Sequence, residues 1–203
     1  MPRYFLIYKP YNMLSQFTKE AEHHVTLAEL HDFPPKVYPV GRLDKDSEGL
    51  LILTDDTKLN AKLLHPNQRH ERRYLAQVEG IPGAEALDQL RKGIEISVNK
   101  KKHKTRPARI TLPDAYPDFL PERNPPVRYR ANIPTSFIQL HLTEGKNRQV
   151  RKMCAKVGYP VLRLVRTHIV SLSLNDLKGQ AVREVEGRWL YDRLFGEPRL
   201  PKK

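Results

Sequence analysis

The sequence has little cysteine and no long apolar run, which excludes several classes of protein. Cys154 is the only cysteine among 203 residues, which excludes an intrachain disulfide and a zinc site built from cysteines. The eight histidines show no spacing typical of metal ligands. The apolar stretch within the first ten residues is too short for a signal peptide or a membrane span. We therefore expect a cytoplasmic protein that uses no metal and does not contact a membrane.

Acidic residues are scarce relative to basic ones. Lysine and arginine total 36 against 23 aspartates and glutamates, which gives a formal net charge of +13 and an isoelectric point near 9.9. The basic residues cluster at 69–73, 100–109, 123–130 and 146–156. Such clusters favour a polyanionic partner, because each basic side chain near a phosphate displaces a condensed counterion. A polyanion is therefore the expected partner, and a soluble protein that happens to be basic is the alternative.

Short apolar runs and amphipathic segments alternate along the chain. This pattern predicts an α+β fold with a mixed, mostly antiparallel sheet, flanking helices and two lobes around a basic cleft. The clearest helix is predicted over 147–158, with Asn147 as its cap. We expect a single domain over 1–203, with lobes at about 1–65 and 66–195. The segment 113–134 is rich in proline and is predicted to be a surface excursion. Strands are predicted at 4–8, 49–56, 72–80 and 136–142.

The stretch VGRLDKDSEGLLILTDD, residues 40–56, places Arg42 and Asp44 two positions apart between apolar runs. A carboxylate next to a fixed guanidinium stays ionised and oriented, which suits a nucleophile or a general base. A structural Arg–Asp pair or a helix cap would explain the same two residues. A magnesium site for phosphoryl transfer is a further alternative, but Asp55 and Asp56 follow a whole strand and should lie at the opposite end of the sheet from Asp44.

The stretch EGKNRQVRKM, residues 144–153, begins the predicted helix with several cationic side chains. Lys146 and Arg148 precede the helix or begin it, and Arg151 and Lys152 lie off its apolar stripe. A helix start of this kind can bind phosphate through free backbone N–H groups and side-chain charge. A solvated basic face is the alternative.

Tyr74 lies in the predicted strand RRYLAQVEG, on the same face as Arg72 and Ala76. An aromatic ring in that position can stack on an unpaired base, as recognition of single-stranded RNA commonly requires. An ordinary tyrosine of the core or its rim would explain the pattern equally well.

Together and in this order, these segments resemble the RsuA/RluE-type family of ribosomal RNA pseudouridine synthases. The resemblance extends from about Tyr4 to Val185. It implies the pseudouridine synthase catalytic fold and an isomerase that breaks the C1′–N1 bond of a uridine, turns the base and rejoins it through carbon 5. Such a reaction includes no redox step and no group transfer, so the resemblance implies no cofactor and no metal.

The resemblance also implies roles for individual residues. Asp44 would be the nucleophile that attacks the ribose C1′ or carbon 6 of the uracil, and Arg151 would pair with it. Arg42 would help to open the RNA, and Tyr74 would stack on the target base near the carbon 5 proton. Flipping a base out of folded RNA costs about a few kcal/mol, which backbone contacts can offset. Candidates for those contacts are Lys146, Arg148 and Lys152.

Many members of the family carry a small amino-terminal RNA-binding domain, and Asp44 lies too close to Met1 for such a domain to precede it. The pattern is similar to the short RluE-type branch, so large-subunit ribosomal RNA is the expected substrate, either free or within an assembling particle. The protein is expected to be a monomer. The segments 100–109 and 113–134 would then recognise the RNA, or be solvated hairpin tips. A non-catalytic RNA-binding or ribosome-assembly protein, and a synthase that acts on another RNA, are the alternatives.

Overall fold

The computed structural model describes residues 1–65, 67–113, 120–128, 130 and 132–196. The chain divides into two compact units, one formed by 1–70 with 168–203 and the other by 71–167. The expected lobes of about 1–65 and 66–195 differ from these units, because the last strand pairs with the first and returns the end of the chain to the first unit. No helix in the described part of the chain is long and apolar enough to cross a membrane.

The first unit is built around a mostly antiparallel sheet. Its strands, numbered along the whole chain, are β1 (Tyr4–Lys9), β2 (Met13–Leu14), β3 (Val25–Thr26), β4 (Tyr38–Pro39), β5 (Glu48–Thr54), β12 (Leu172–Ser173) and β13 (Val182–Val185). Its α-helices are α1 (Thr57–Leu64) and α4 (Gly187–Phe195), and its 3₁₀ helices are Leu27–Glu29 and Leu174–Leu177. The short β2 and β3 form a separate parallel pair.

Strands β1 and β5 form the centre of the first unit because both are continuous apolar runs. β1 pairs with β13 on one side and with β5 on the other, in a register that places Tyr4 opposite Thr54 and Lys9 opposite Gly49. The side chains of β5 from Leu50 to Leu53 are fully buried. An apolar run covered on both faces favours a strand in the interior of a sheet. The turn that precedes β5 is therefore attached to the most buried strand of this unit.

Asp56 links the end of β5 to the start of α1. Its Oδ1 accepts hydrogen bonds from the N–H groups of Lys58 at 2.9 Å and Leu59 at 3.2 Å, which makes Asp56 the N-cap. Its Oδ2 accepts from the hydroxyls of Tyr4 at 2.8 Å and Tyr191 at 2.7 Å. Burial alone would raise the pKa of this carboxyl, but the bonds from the two hydroxyls and the two N–H groups together lower it below its ordinary value.

The position of Asp55 and Asp56 agrees with the sequence-based argument against a magnesium site. Both follow β5, whose seven residues span roughly 20 Å, whereas Asp44 precedes it. Asp55 accepts a hydrogen bond from the N–H group of Arg3 at 2.7 Å, and Asp56 is the helix cap. These two carboxylates thus have structural partners far from Asp44 along the strand.

The second unit combines an antiparallel sheet with two helices. Its strands are β6 (Arg72–Glu79), β7 (Glu95–Val98), β8 (Lys101–Lys104), β9 (Arg109–Thr111), β10 (Thr135–Leu142) and β11 (Val161–Ile169), of which the last two residues belong to the first unit. Its helices are α2 (Ala84–Lys92) and α3 (Gln149–Lys156). β10 pairs with β6 and β9, and β11 neighbours β6. The predicted α+β class with a mostly antiparallel sheet is confirmed.

One face of β6 and β10 carries the core of the second unit. Ala76 lies opposite Ile138 and Tyr74 lies opposite Leu140, and the aliphatic side chains among these are fully buried. Residues of α2 and α3 belong to the same hydrophobic cluster, among them Leu90 and Cys154. Burial raises the pKa of the Cys154 thiol to about 12, so this cysteine is an inert core residue at neutral pH.

Within the basic segment 100–109, residues 101–104 form a strand. β7 and β8 form an antiparallel hairpin, with Val98 opposite Lys101 and Glu95 opposite Lys104. Its turn residues Asn99 and Lys100 both have left-handed backbones, at φ 50° and 63°, as a two-residue hairpin turn with the twist of its strands requires. The sequence did not predict this strand, because its run of lysines shows no alternation of apolar and polar residues.

The proline-rich excursion 113–134 lies partly outside the described residues, which omit 114–119, 129 and 131. In its described part, Arg123 donates hydrogen bonds to the carbonyl oxygens of Pro125, Pro126 and Leu162, at 2.8 Å, 2.9 Å and 3.3 Å. The buried Arg163 donates to the carbonyl oxygen of Pro121 at 2.8 Å. Hydrogen bonds from the guanidinium groups of Arg123 and Arg163 to backbone carbonyl oxygens thus hold residues 121–126 in place.

We predict that Asp56→Ala lowers the free energy of unfolding by about 1–3 kcal/mol, because α1 loses its cap and two tyrosine hydroxyls lose an acceptor. The lowered pKa of the folded state means that the carboxylate stabilises the fold above its unfolded pKa of about 3.9 and stops doing so as the pH falls through the folded value. Urea unfolding should therefore show the difference between wild type and variant at pH 7, and a smaller difference at strongly acidic pH. The exposed Asp32→Ala is the control, and an equal effect of both substitutions would contradict the assignment.

Candidate active site

The turn that carries Asp44 is attached to β5 on one side and reverses sharply on the other. The N–H group of Val40 donates to the carbonyl oxygen of Ile52 at 2.8 Å, which continues the pairing of β4 with β5. Gly41 then has φ 73°, a backbone conformation that glycine adopts without strain. After it the carbonyl oxygen of Asp44 accepts from the N–H group of Ser47 at 2.9 Å. The sequence from Gly41 to Ser47 thus forms a compact turn immediately before the buried strand.

Two buried polar side chains fix the residues on both sides of Asp44. The hydroxyl of Ser15 donates to the carbonyl oxygen of Leu43 at 2.8 Å and accepts from its N–H group at 3.0 Å. The ammonium group of Lys9, which is fully buried, donates to carbonyl oxygens of Met13 at 2.7 Å, Pro10 at 2.9 Å and Lys45 at 3.4 Å. Asp44 is therefore positioned through the backbone of its neighbours.

The structural Arg–Asp pair and the helix cap, which the sequence left open, are both wrong. Among the described residues, the side chains of Arg42 and Asp44 form no ion pair with each other. The cap of the helix that follows β5 is Asp56. Arg42 is exposed and Asp44 is half-buried, while the neighbouring acid Glu48 is buried and accepts from the hydroxyl of Tyr8 at 2.9 Å. Asp44 is thus left as a carboxylate on a fixed turn with no structural role as a cap or as the partner of Arg42.

In the second unit, α3 begins differently from the prediction. Arg148 is the N-cap and has a left-handed backbone at φ 53°, so the predicted cap Asn147 is wrong. The side-chain oxygen of Asn147 instead accepts from the ammonium group of Lys152 at 3.1 Å. The buried Gln149 provides the local bond, because its side-chain oxygen accepts from the N–H group of Lys146 at 2.9 Å. This closed turn presents Lys146 and Arg148, both exposed, on the surface.

Arg151 lies in the first turn of α3 and is half-buried. One of its guanidinium nitrogens donates to the carbonyl oxygen of Val161, at the start of β11, at 3.2 Å. The contact joins the basic side of α3 to the strand that follows it. The pairing of Arg151 with Asp44 that the family resemblance implies stays a prediction.

Tyr74 has a partner that the sequence analysis missed. The guanidinium of Arg166 on β11, which is 5% exposed, donates a side-chain hydrogen bond to the Tyr74 hydroxyl. Burial lowers the pKa of Arg166, and the bond to Tyr74 opposes that change. A signal was present, because an arginine within the apolar run VLRLVRTHIV marks a cation inside a buried strand.

Arg72 is a second cation beside the Tyr74 face of β6. Its guanidinium lies 4.0 Å from the position that a Cβ on Gly145 would take. Alternation along β6 places Arg72 and Tyr74 on the same face. The second unit thus brings an aromatic ring, Arg72 and the turn before α3 close together, while Asp44 and Arg42 share the turn of the first unit.

Comparison with known proteins defines the class of this fold. A solved structure described as a pseudouridylate synthase superposes with a TM-score of 0.73 at 23% sequence identity, covering 96% of this chain and 74% of that one. Residues 3–156 match the family described as RNA pseudouridylate synthase, and the chain belongs to this family. The predicted enzyme class, a pseudouridine synthase, is thereby confirmed.

Several curated relatives share most of this chain. A protein of Vibrio parahaemolyticus named ribosomal large subunit pseudouridine synthase E is 46% identical over 179 residues, which are 88% of this chain and 71% of the relative. A Xanthomonas axonopodis protein of the same name is 47% identical over 173 residues, with 85% and 88% covered. A Bacillus subtilis protein named ribosomal large subunit pseudouridine synthase B is 35% identical and covers 91% of this chain and 68% of its own length. The resemblance to the RsuA/RluE-type family is confirmed.

We predict that Ser15→Ala lowers kcat about tenfold or more while the protein still folds. The substitution leaves the N–H and carbonyl groups of Leu43 without their buried partner, at a cost of about 1–3 kcal/mol, and loosens the backbone next to Asp44. Steady-state kinetics with thermal unfolding in parallel would measure both effects. The control is Ser97→Ala on the exposed side of β7, and an unchanged kcat in a destabilised Ser15→Ala would limit the serine to a structural role.

We predict that Tyr74→Phe destabilises the second unit by about 1–3 kcal/mol, because the buried Arg166 loses an acceptor while the ring keeps its packing. Chemical unfolding of both variants measures the effect of losing the hydroxyl. The control is Tyr159→Phe, which removes the hydroxyl of a half-buried tyrosine outside the site. Equal stabilities of the two variants would show that the bond between Arg166 and Tyr74 does not contribute.

Proposed function

We propose that this chain converts a specific uridine of large-subunit ribosomal RNA into pseudouridine. The observation that carries the proposal is the turn from Gly41 to Ser47, whose backbone is fixed on both sides of Asp44 while the carboxylate itself serves neither as a cap nor as the partner of Arg42. The choice of RNA is supported by relatives whose names specify the large ribosomal subunit, at 46% and 47% identity. The net charge of +13 suits a polyanionic substrate.

Asp44 acts as the nucleophile in this proposal. Its carboxylate attacks the ribose C1′ or carbon 6 of the uracil, and the C1′–N1 bond breaks. The base turns, a C1′–C5 bond forms, the proton on carbon 5 leaves to water, N1 takes up a proton from water, and the carboxylate is released unchanged. The atoms balance without an oxidant, a reductant or a second substrate, and a carboxylate on a rigid turn needs little reorganisation before attack.

Tyr74 and Arg151 assist Asp44 in the proposed reaction. The Tyr74 ring stacks on the flipped base near carbon 5, and its bond from Arg166 fixes the direction of its hydroxyl. Arg151 keeps Asp44 ionised by pairing with it, since an adjacent guanidinium favours the charged carboxylate.

The cationic side chains supply affinity for the RNA. Arg42 is exposed beside Asp44 and fills the gap that the flipped base leaves, while phosphates are contacted by Lys146, Arg148 and Lys152. Unstacking a base costs about a few kcal/mol, and charge-assisted backbone contacts offset that cost. The proposed active form is a monomer that acts on ribosomal RNA, either free or within an assembling particle.

We predict that wild-type protein, incubated with EDTA and large-subunit RNA whose uridines carry tritium at carbon 5, releases tritium to about one equivalent per RNA molecule. The new carbon–carbon bond can form only if the hydrogen on carbon 5 leaves. Asp44→Asn should release none and should bind the RNA within a few-fold of wild type, because the substitution adds no repulsion toward phosphate. Asp32→Asn, which removes the same charge from an exposed site of the same unit, should behave as wild type.

The two alternatives give different results in the same assay. Tight binding without any release would identify a non-catalytic RNA-binding or assembly protein. Release from transfer RNA or small-subunit RNA, and none from large-subunit RNA, would retain the reaction and change the substrate. A large loss of affinity in Asp44→Asn would show that Asp44 organises the RNA site and is not the nucleophile.

A further inference from the structure

The β7–β8 hairpin is the most densely basic element of the second unit. Its exposed cations are Lys100, Lys101, Lys102 and Lys104. Glu95 is the acid that faces them, and its carboxylate lies 3.2 Å from the ammonium group of Lys102. The side chain of Lys102 is 84% exposed and that of Glu95 is 54% exposed. An ion pair so exposed to water contributes little to the stability of the fold. The hairpin therefore presents a strong positive charge that contributes little to the stability of the second unit.

The two faces of the hairpin have different surroundings. Ile96 lies opposite His103, and Ile96 is buried in the core, so this face is directed toward the protein. Alternation places Lys102 and Lys104 on the opposite face, which is directed toward solvent. Lysine side chains on a solvent-directed face have the reach and the three donors needed for phosphate groups.

A single carboxylate attaches the hairpin to the turn before α3. Glu144, whose side chain is 9% exposed, accepts at one oxygen from the Nε2–H group of His103 at 3.1 Å. Its other oxygen accepts from the N–H group of Arg106 and from the side-chain amide of Gln149, both at 2.8 Å. Gln149 in turn holds the N–H group of Lys146. The foot of the hairpin and the turn 145–148 are thus tied to the same side chain.

We propose that the hairpin 99–104 and the turn 145–148 form one surface that binds the phosphate backbone of the RNA, and that Glu144 is the positioning residue that aligns them. The proposal rests on the proposed function for the identity of the polyanion. A carboxylate in such a basic region would repel phosphate if it were free. Three donors occupy Glu144 instead, so its negative charge serves to fix two groups of cations. Lysines bind phosphate as point charges, so this surface adds affinity and register but does not read bases.

The first test removes charge from the hairpin. The triple variant Lys101→Ala, Lys102→Ala and Lys104→Ala keeps Lys100, whose left-handed backbone belongs to the turn. Binding of a large-subunit ribosomal RNA transcript is measured over a series of KCl concentrations, and kcat and KM are measured by tritium release. We expect Kd and KM to rise about tenfold or more, the slope of log Kd against log salt to fall by about two, and kcat to change less than about twofold.

The control removes the same charge elsewhere. Lys19→Ala, Lys58→Ala and Arg188→Ala together remove three exposed cations from the first unit. This variant should keep the affinity and the salt slope of the wild type within about twofold. If the hairpin variant and the control show the same affinity and the same slope, the hairpin does not contact the RNA and the proposal is wrong.

The second test separates positioning by Glu144 from its charge. Glu144→Gln removes a negative charge from a basic surface, so electrostatics alone predicts tighter RNA binding. Positioning predicts weaker binding by about fivefold or more, because an amide nitrogen cannot accept from the donors that the carboxylate holds. The lysine substitutions should also cost less affinity in the Glu144→Gln background than in the wild type, which a double-mutant cycle measures. Tighter binding, or additive effects, would overturn the role of Glu144.

His103→Ala carries the same test if Glu144→Gln fails to fold. It breaks the bond to the hairpin alone and leaves the bonds of Glu144 to Arg106 and Gln149 in place. We expect weaker binding and the same loss of coupling to the lysines, and unchanged binding would contradict the proposal. A wild-type protein that binds the transcript but releases no tritium would refute the proposed function, while the binding measurements would still decide the role of the hairpin.

Discussion

The first unit depends on a buried ammonium group at the end of its central strand. Removing the charge of Lys9 from water costs several kcal/mol, and bonds to backbone carbonyl groups at 2.7 Å to 3.4 Å compensate for that cost. One of those carbonyl groups belongs to Lys45, next to Asp44. The core of this unit therefore forms fully only when the turn adopts the geometry that holds Asp44, and folding and positioning of the carboxylate are coupled.

The second unit uses the same principle for one nearly buried anion and one buried cation. There the carboxylate of Glu144 is almost buried and is satisfied by an imidazole, a backbone N–H group and an amide. The buried guanidinium of Arg166 is bonded to Tyr74. Buried hydrogen bonds of this kind favour a single arrangement, because an alternative that breaks them leaves buried polar groups unsatisfied. Through Gln149, Glu144 is connected to the turn before α3 that presents Lys146 and Arg148.

Much of this architecture could be predicted from the sequence, and the failures have identifiable physical causes. β5 was predictable because burial on both faces gives it a continuous apolar run, and α3 because burial of one face gives it an apolar stripe of helical period. β8 was missed because its lysines form a strand through backbone pairing with β7, which leaves no apolar signature. The cap of α3 was assigned to Asn147 on propensity, but the side chain of Gln149 closes the turn and allows a left-handed Arg148.

The candidate site was predictable to a different degree in its two parts. Asp44 and Arg42 were visible because charged residues interrupt apolar runs in a long, specific motif. Arg166, Ser15 and Glu144 were not identified as site residues, since their importance comes from partners that are distant in sequence, such as Ser15 with Leu43 across 28 positions. A local sequence pattern shows the type of each residue and its neighbours, but not the distant residues with which Arg166, Ser15 and Glu144 form hydrogen bonds.

A nucleophilic carboxylate poses a conflict between orientation and reactivity. Hydrogen bonds to its oxygens would orient it, but each bond stabilises the charge and weakens the attack. Here bonds to the backbone of Leu43 and Lys45 fix the chain on both sides of Asp44, so the position of its backbone does not depend on donors to the carboxylate. A turn fixed by Ser15 and Lys9 can therefore be rigid without using the carboxylate oxygens of Asp44, which in the proposed function pair with Arg151 and attack the substrate.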